Sequence, residues 1–225
     1  MSAQKPKSHE IDMLHGPLVS GILKFALPFA ASSILQQMFN AVDVAVVGRF
    51  ASSEALAAVG ANTFLINLFI NLFVGISVGA NVVISNHIGQ NDDNRTRKAV
   101  HTTMILAVLS GFTMLVTGLL IAAPVLVLMG TPANVLSDSV LYLRIYMCGT
   151  PFFMIYNFGA AVLRSKGDTK RPLYILIVAG LINTVLNLLF VIVFHKSVDG
   201  VAIATDISNA FSAFAILVLL KKEPG

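Results

Sequence analysis

The sequence predicts an all-α membrane protein whose chain crosses the bilayer six times. Of its 225 residues, 56% are hydrophobic and only 12% are charged, which is about half the charged fraction of a soluble domain. The apolar residues form continuous runs long enough for a bilayer-spanning helix, which takes about 20 residues. The strands of a transmembrane barrel would instead alternate over segments of about ten residues. These observations together predict a polytopic helical bundle.

Six spans follow one another along the chain, separated by short loops rich in turn residues. A cytoplasmic segment, 1–19, precedes this six-helix region of residues 20–220, and 221–225 begin a basic cytoplasmic linker. The first run lacks the pattern of a cleaved signal peptide and is therefore expected to be retained. The predicted spans are residues 20–47, 55–86, 99–129, 134–163, 172–194 and 200–220.

Proline and glycine suggest where these spans bend and pack. Pro28 and Pro151 lie inside spans 1 and 4, where each is expected to kink its helix. Gly75 and Gly79 form a GxxxG pattern in span 2. Such pairs of small residues allow close helix approach in membranes, so we expect a tight helix contact there.

The basic residues predict the orientation of the bundle. Of the fifteen Lys and Arg residues, only Arg49, Arg144 and Lys196 do not fall on one predicted side of the membrane. This asymmetry predicts that both termini lie in the cytoplasm. The expected location is a plasma membrane, that of a bacterial inner membrane. A nucleic-acid-binding protein would gather its positive charge into one patch, so no nucleic-acid partner is expected.

The remaining motif chemistry is sparse. The single cysteine, Cys148, excludes an internal disulfide, and the five histidines show no metal-ligand spacing. The chain has no glycine-rich nucleotide-binding loop. We therefore expect neither an enzyme nor a bound cofactor.

Polar side chains recur at helical spacing inside four of the spans. Each stripe alone is compatible with interhelical hydrogen bonds, which contribute about 0.6–2 kcal/mol apiece. Four stripes together favour a hydrated cavity between the helices, because none of them can face lipid. The members that define the stripes are Ser33, Gln36, Asn40 and Asp43 in span 1, Asn67 and Asn71 in span 2, Asn183 and Asn187 in span 5, and Thr205 and Ser208 in span 6.

Asp43 is the most informative of these residues. A charge at the bilayer centre costs about 2.5–3.5 kcal/mol on insertion scales, and Asp43 lies in the outer half of span 1, about 33 Å along the helix from Gly21. The alternative is an acid at the interface that pairs with Arg49. Because Arg49 is six residues further on, it lies off the face of Asp43, and a functional acid is favoured.

Two other charged residues leave alternatives open. Asp206 lies about two turns into span 6, where it either stays close to solvent or faces the cavity. Arg144, inside span 4, either extends its side chain outward or pairs with an acid across the bundle.

Several segments in order resemble the multidrug and toxic compound extrusion (MATE) family. They are LPFAASSILQQMFNAVDVAVVGRF, GISVGANVVISNHIGQND, VLRSKGDTKRPL and GVAIATDIS. The resemblance implies one six-helix lobe of a twelve-helix transporter whose two lobes are related by a pseudo-twofold axis. Members alternate access between membrane faces and export cationic or amphipathic small molecules in exchange for H⁺ or Na⁺.

The resemblance also assigns roles to residues. Asp43 matches the acid of the first helix that takes part in cation coupling, and Asn183, Thr205 and Asn157 match other residues of that site. A Na⁺ ion would bind at Asp43, Asn183 and Thr205. Asn187 stands where some members carry a second acid, and an asparagine can ligate a cation but cannot titrate. The residues expected to line the cavity are Gln36, Asn40, Asn67, Asn71, Arg144, Asp206 and Ser208.

The length of the chain raises alternatives. It ends after one lobe, and its last residues, KKEPG, resemble the start of the linker that joins the lobes. We expect a truncated half antiporter that works with the missing carboxy-terminal lobe, or a lobe completed by a second copy. The runner-up function is a lipid-linked oligosaccharide flippase, which would hold more cavity cations than Arg144. A non-transporting membrane remnant is the third reading.

Overall fold

A computed structural model describes residues 18–223, and they form a bundle of α-helices. Most of the predicted segment 1–19 and the end of the predicted linker 221–225 lie outside the described residues. The helices are α1 (Leu18–Phe50), α2 (Ser53–Gly89), α3 (Asp93–Leu128), α4 (Ala133–Cys148), α5 (Thr150–Ser165), α6 (Lys170–Leu188) and α7 (Val198–Lys222), with a π-helical turn, Leu189–Val193, directly after α6.

The bundle supports the predicted fold class of an all-α membrane protein. Within the described residues, α1, α2, α3, α7 and α6 with its π-helical turn are each long and apolar enough to cross a membrane. The helices α4 and α5 make a sixth span if they are counted together, but they meet at an angle of 45°. The region predicted as the single span 4 is therefore divided into two helices that meet at a bend.

The break in this span has a local cause. Gly149 lies between the two helices, and Thr150 and Pro151 begin α5. Proline has no backbone N–H and its ring interferes with the preceding turn, so a continuous helix is disfavoured here. Pro28, in contrast, is contained within the unbroken α1.

Polar side chains cap the first turns of α2 and α3. Ser52 accepts a hydrogen bond from the backbone N–H of Ala55 at 3.1 Å, and Asp92 accepts one from Arg95 at 2.9 Å. Each cap satisfies one of the free N–H groups that begin a helix. After α5, Gly167 takes a φ of 84°, in the left-handed region that glycine adopts without strain.

The packing places α5 at the centre of the lobe, against α2, α3 and α7, while α1 packs mainly on α6. Large apolar side chains such as Leu120 and Leu128 point outward, as expected where the surrounding solvent is lipid. Polar side chains therefore lie between the helices, and the candidate site is formed there.

Among residues 18–223, the tight helix contact expected at Gly75 and Gly79 is not found, and that prediction is wrong for this part of the chain. A Cβ atom at either position would meet no atom within 4 Å. The close approach occurs on α3, where a Cβ at Gly111 would lie 2.5 Å from the Cα of Pro151. The pattern alone could not tell which glycines face a neighbouring helix.

This contact predicts a large difference between two glycine substitutions. Gly111→Ala should destabilise the lobe by about 1–3 kcal/mol, because overpacking against a backbone atom forces the helices apart. Gly75→Ala, whose methyl group enters open space, is the matched control and should leave stability unchanged or higher. Thermal unfolding of both variants in the same detergent measures the difference, and equal midpoints would contradict the packing described here.

Candidate cation-coupling site

Asp43 is buried at the junction of α1, α6 and α7, with 2% of its surface exposed. The amide of Asn187 donates a hydrogen bond to its Oδ1 at 2.5 Å, and the hydroxyl of Thr205 lies 3.0 Å from its Oδ2. The carboxyl group is thus held by two side chains from two other helices. No cation pairs with it within residues 18–223.

A second set of hydrogen bonds closes this arrangement into a network. The Nδ2 of Asn187 also lies 3.2 Å from the Oδ1 of Asn183, and the Nδ2 of Asn183 donates to the Oγ1 of Thr205 at 3.1 Å. The same Oγ1 lies 3.1 Å from the backbone oxygen of Val201. A hydroxyl has one proton, so Thr205 donates either to Asp43 or to Val201.

Local sequence explains how these side chains come together. Asn183 and Asn187 are four residues apart on α6 and therefore share a face of the helix. The π-helical turn, Leu189–Val193, begins two residues after Asn187. Such turns occur often at functional sites.

One atom of the network has no partner. The Oδ1 of Asn187 is buried and accepts no hydrogen bond from any described residue. A buried acceptor without a donor is unfavourable by about 1–3 kcal/mol. The atom is therefore available either to a proton placed on Asp43 or to a bound cation.

A cavity of about 150 Å³ opens next to this network. Its lining includes three members of the network, namely Asp43, Asn183 and Thr205. On α2, the amide of Asn71 donates a hydrogen bond to the backbone oxygen of Asn67 at 2.7 Å. The other predicted residues that line it are Gln36, Asn40, Asn67, Asn71 and Ser208.

Three predicted residues lie elsewhere. Asn157 is buried but does not line the cavity, and its amide donates to the backbone oxygen of Phe153 at 2.9 Å. Arg144 is exposed on α4, and neither it nor Asp206 is among the lining residues. Asp206 packs against Gly149 at the break between α4 and α5.

Sequence reasoning missed the aromatic part of the cavity. Tyr146, Phe153 and Tyr156 line it together with Phe39, and the hydroxyl of Tyr156 donates to the backbone oxygen of Pro172 at 3.0 Å. Aromatic residues at these positions carry no signal beyond that of ordinary core residues. The face of an aromatic ring attracts a cationic organic group that lies over it.

The electrostatics of the cavity are simple. Asp43 is the only acid that lines it within the described residues, and no Lys or Arg does so. An ionised Asp43 therefore gives the lining one negative charge surrounded by amides, hydroxyls and aromatic rings. Such a site favours a cation over an anion.

Comparison with known proteins identifies the relatives of the chain. A family model described as MatE matches residues 28–189. The probable multidrug resistance protein YoeA of Bacillus subtilis is 34% identical over 203 residues, which cover 88% of this chain and 44% of that protein. The probable multidrug resistance protein NorM of Thermotoga maritima is 27% identical, over 90% of this chain and 44% of that protein.

Solved structures agree with this relationship. A crystal structure of MATE in the bent conformation matches with a TM-score of 0.91 and 25% identity, over 98% of this chain and 49% of that one. An outward-facing multidrug resistance MATE transporter gives a TM-score of 0.88 at 25% identity, over 96% and 48%. The chain thus spans about half the length of these relatives. With the family model matched over most of the chain and the fold shared with solved members, the chain belongs to the MATE family.

Proposed function

We propose that the chain is the cation-coupling half of a multidrug antiporter, which exports cationic or amphipathic small molecules in exchange for H⁺ or Na⁺. The observation that carries this proposal is the buried carboxyl group of Asp43, which is held in a network of amides and a hydroxyl beside a cavity. The printed names of the relatives, multidrug resistance proteins, support the same function.

The exchange follows from the charge of Asp43. When the carboxylate is ionised, it attracts a cationic substrate into the aromatic part of the cavity. When Asp43 takes up H⁺ or Na⁺, that attraction is lost and the burial of the group becomes less costly. Substrate and coupling ion therefore exclude one another, which is the requirement for antiport.

The network can accommodate either coupling ion. A protonated Asp43 has one O–H donor and needs an acceptor, and rotation of the Asn187 amide would offer its unpartnered Oδ1. A Na⁺ ion would instead be held by oxygen atoms of Asp43, Asn183 and Thr205, with Asn187 Oδ1 nearby. These are the hard oxygen ligands that such cations prefer.

The proposed setting is a plasma membrane of bacterial inner membrane type, with both termini in the cytoplasm. The relatives are about twice as long as the matched region, which supports a partner in the form of a second lobe or a second copy of this chain. The flippase alternative is not favoured, because Arg144 is exposed and no basic residue lines the cavity within the described residues.

Binding of tetraphenylphosphonium to the purified chain in lipid nanodiscs tests the proposal. We expect saturable binding of tetraphenylphosphonium that weakens either when the pH is lowered or when Na⁺ is added. The ion that weakens the binding, H⁺ or Na⁺, is the coupling ion. Potassium chloride at equal ionic strength is the control for simple screening. Binding that is insensitive to both pH and Na⁺ would exclude exchange at this site.

A further inference from the structure

Phe39 and Gly180 make a close contact one helical turn away from the Asp43 network. Phe39 lies four residues before Asp43 on α1, so the two share one face of that helix. In the same way, Gly180 lies three residues before Asn183 on α6. A Cβ atom at Gly180 would overlap Cε1 and Cζ of Phe39 and would lie 2.9 Å from its Cδ1. The edge of the ring therefore occupies the space that a side chain at residue 180 would need.

The same ring forms part of the cavity wall. Phe39 lines the cavity together with Tyr156 and Leu176, and it packs against the buried cluster that contains these two residues. The hydroxyl of Tyr156 donates a hydrogen bond to the backbone oxygen of Pro172 at 3.0 Å, which holds the tyrosine ring in place. A displaced Phe39 ring would therefore meet fixed neighbours in the cluster, whereas the cavity next to it is open.

Gly180 is buried inside α6. Glycine is a poorer helix former than alanine, so its place within the helix indicates a requirement for space. The atoms that a larger residue would displace are the far end of the Phe39 ring, which turns about its side-chain bonds more easily than two packed helices separate. Because the interior is otherwise close-packed, the ring would turn into the cavity. A methyl group at residue 180 would thus narrow the cavity without entering it.

We propose that Gly180 is a positioning residue that acts through Phe39 and sets the largest cation that the cavity accepts. With glycine at this place, the ring lies back against α6 and leaves room near Asp43 for bulky groups. Asp43 recognises the charge of the substrate, while the contact between Phe39 and Gly180 limits its size. This inference deepens the function proposed above and rests on it, because it concerns the substrate of the same cavity.

The affinities of a large and a small quaternary cation test this role. Tetraphenylphosphonium and tetraethylammonium carry the same charge and differ in bulk, and titration calorimetry with the purified chain in lipid nanodiscs measures both dissociation constants. Gly180→Ala should weaken the binding of tetraphenylphosphonium at least about tenfold, since a change of one methylene group in an apolar pocket alters selectivity by about 10–200-fold. The binding of tetraethylammonium should change by less than about threefold, because the smaller cation does not need the lost space. Gly60→Ala, whose methyl group enters open space on α2, is the matched control and should keep the wild-type ratio of the two affinities.

A second substitution should restore the binding of the large cation. Phe39→Leu removes the ring edge that the methyl group displaces, so the double variant with Gly180→Ala should bind tetraphenylphosphonium within about threefold of Phe39→Leu alone. The proposal is overturned if Gly180→Ala lowers the affinity for both cations equally, or if the double variant binds as weakly as Gly180→Ala. The exchange at Asp43 is measured separately, by the response of binding to pH and Na⁺, so a failure of that exchange is distinguished from a failure of size selection.

Discussion

Replacing Asp43 with asparagine should abolish the cation dependence of substrate binding and weaken tetraphenylphosphonium binding at least about tenfold, a change of about 1.4 kcal/mol. Asparagine has nearly the same size, so the substitution removes the charge and keeps the packing. Two opposite charges 4 Å apart interact by about 4 kcal/mol at an effective dielectric constant of 20. The tenfold loss is therefore a lower bound.

The same variant should lose export. The chain is expressed in cells together with the proposed second lobe or second copy. In these cells, ethidium efflux by Asp43→Asn should fall to the level of cells that do not express the chain. Asp93→Asn, an exposed acid on α3, is the matched control and should keep wild-type efflux. Wild-type efflux by Asp43→Asn in either a sodium or a proton gradient would remove Asp43 from the mechanism.

Replacing Asn187 with aspartate should have the second largest effect, because it places a second carboxylate beside Asp43. The Asn187 amide nitrogen lies 2.5 Å from Asp43 Oδ1, so the two acids would share one site. Like charges this close cannot both remain ionised without a counter-ion. We expect the affinity for Na⁺ to rise at least about tenfold, since one added charge contributes several kcal/mol at short range.

Titration calorimetry with NaCl measures this change, with Asn71→Asp as the matched control. Asn71 lines the same cavity but lies outside the Asp43 network, where its amide bonds to the backbone of Asn67. The control adds the same charge to the same cavity and should raise Na⁺ affinity by less than about threefold, because water screens it. An equal rise in Na⁺ affinity in both variants would show that the total negative charge of the cavity, and not a two-acid site, controls ion binding.

The fold class and the family were predictable from the sequence because both depend on long-range patterns. The length of the apolar runs predicted the membrane helices, and the all-helical bundle confirms the fold class. The polar spacing on spans 1, 5 and 6 anticipated which faces would meet, and the structure brings Asp43, Asn183 and Thr205 together. Their role in cation coupling stays a prediction.

Other features depended on packing that the sequence does not encode locally. Asn157 matched the family pattern, yet its amide bonds to its own helix at Phe153. The GxxxG pair in α2 looked like a packing motif, whereas Gly111 on α3 makes the close contact. Asp206 was expected to line the cavity or stay near solvent, and its contact with Gly149 depends on a helix break whose angle no local pattern specifies.

The central claim is that Asp43 binds either the coupling ion or the substrate. The most direct test counts the cations released when tetraphenylphosphonium binds to the purified chain, with a pH indicator for H⁺ and a sodium electrode for Na⁺. The wild-type protein should release one more cation per bound substrate than Asp43→Asn. Equal release by the two proteins would contradict the account.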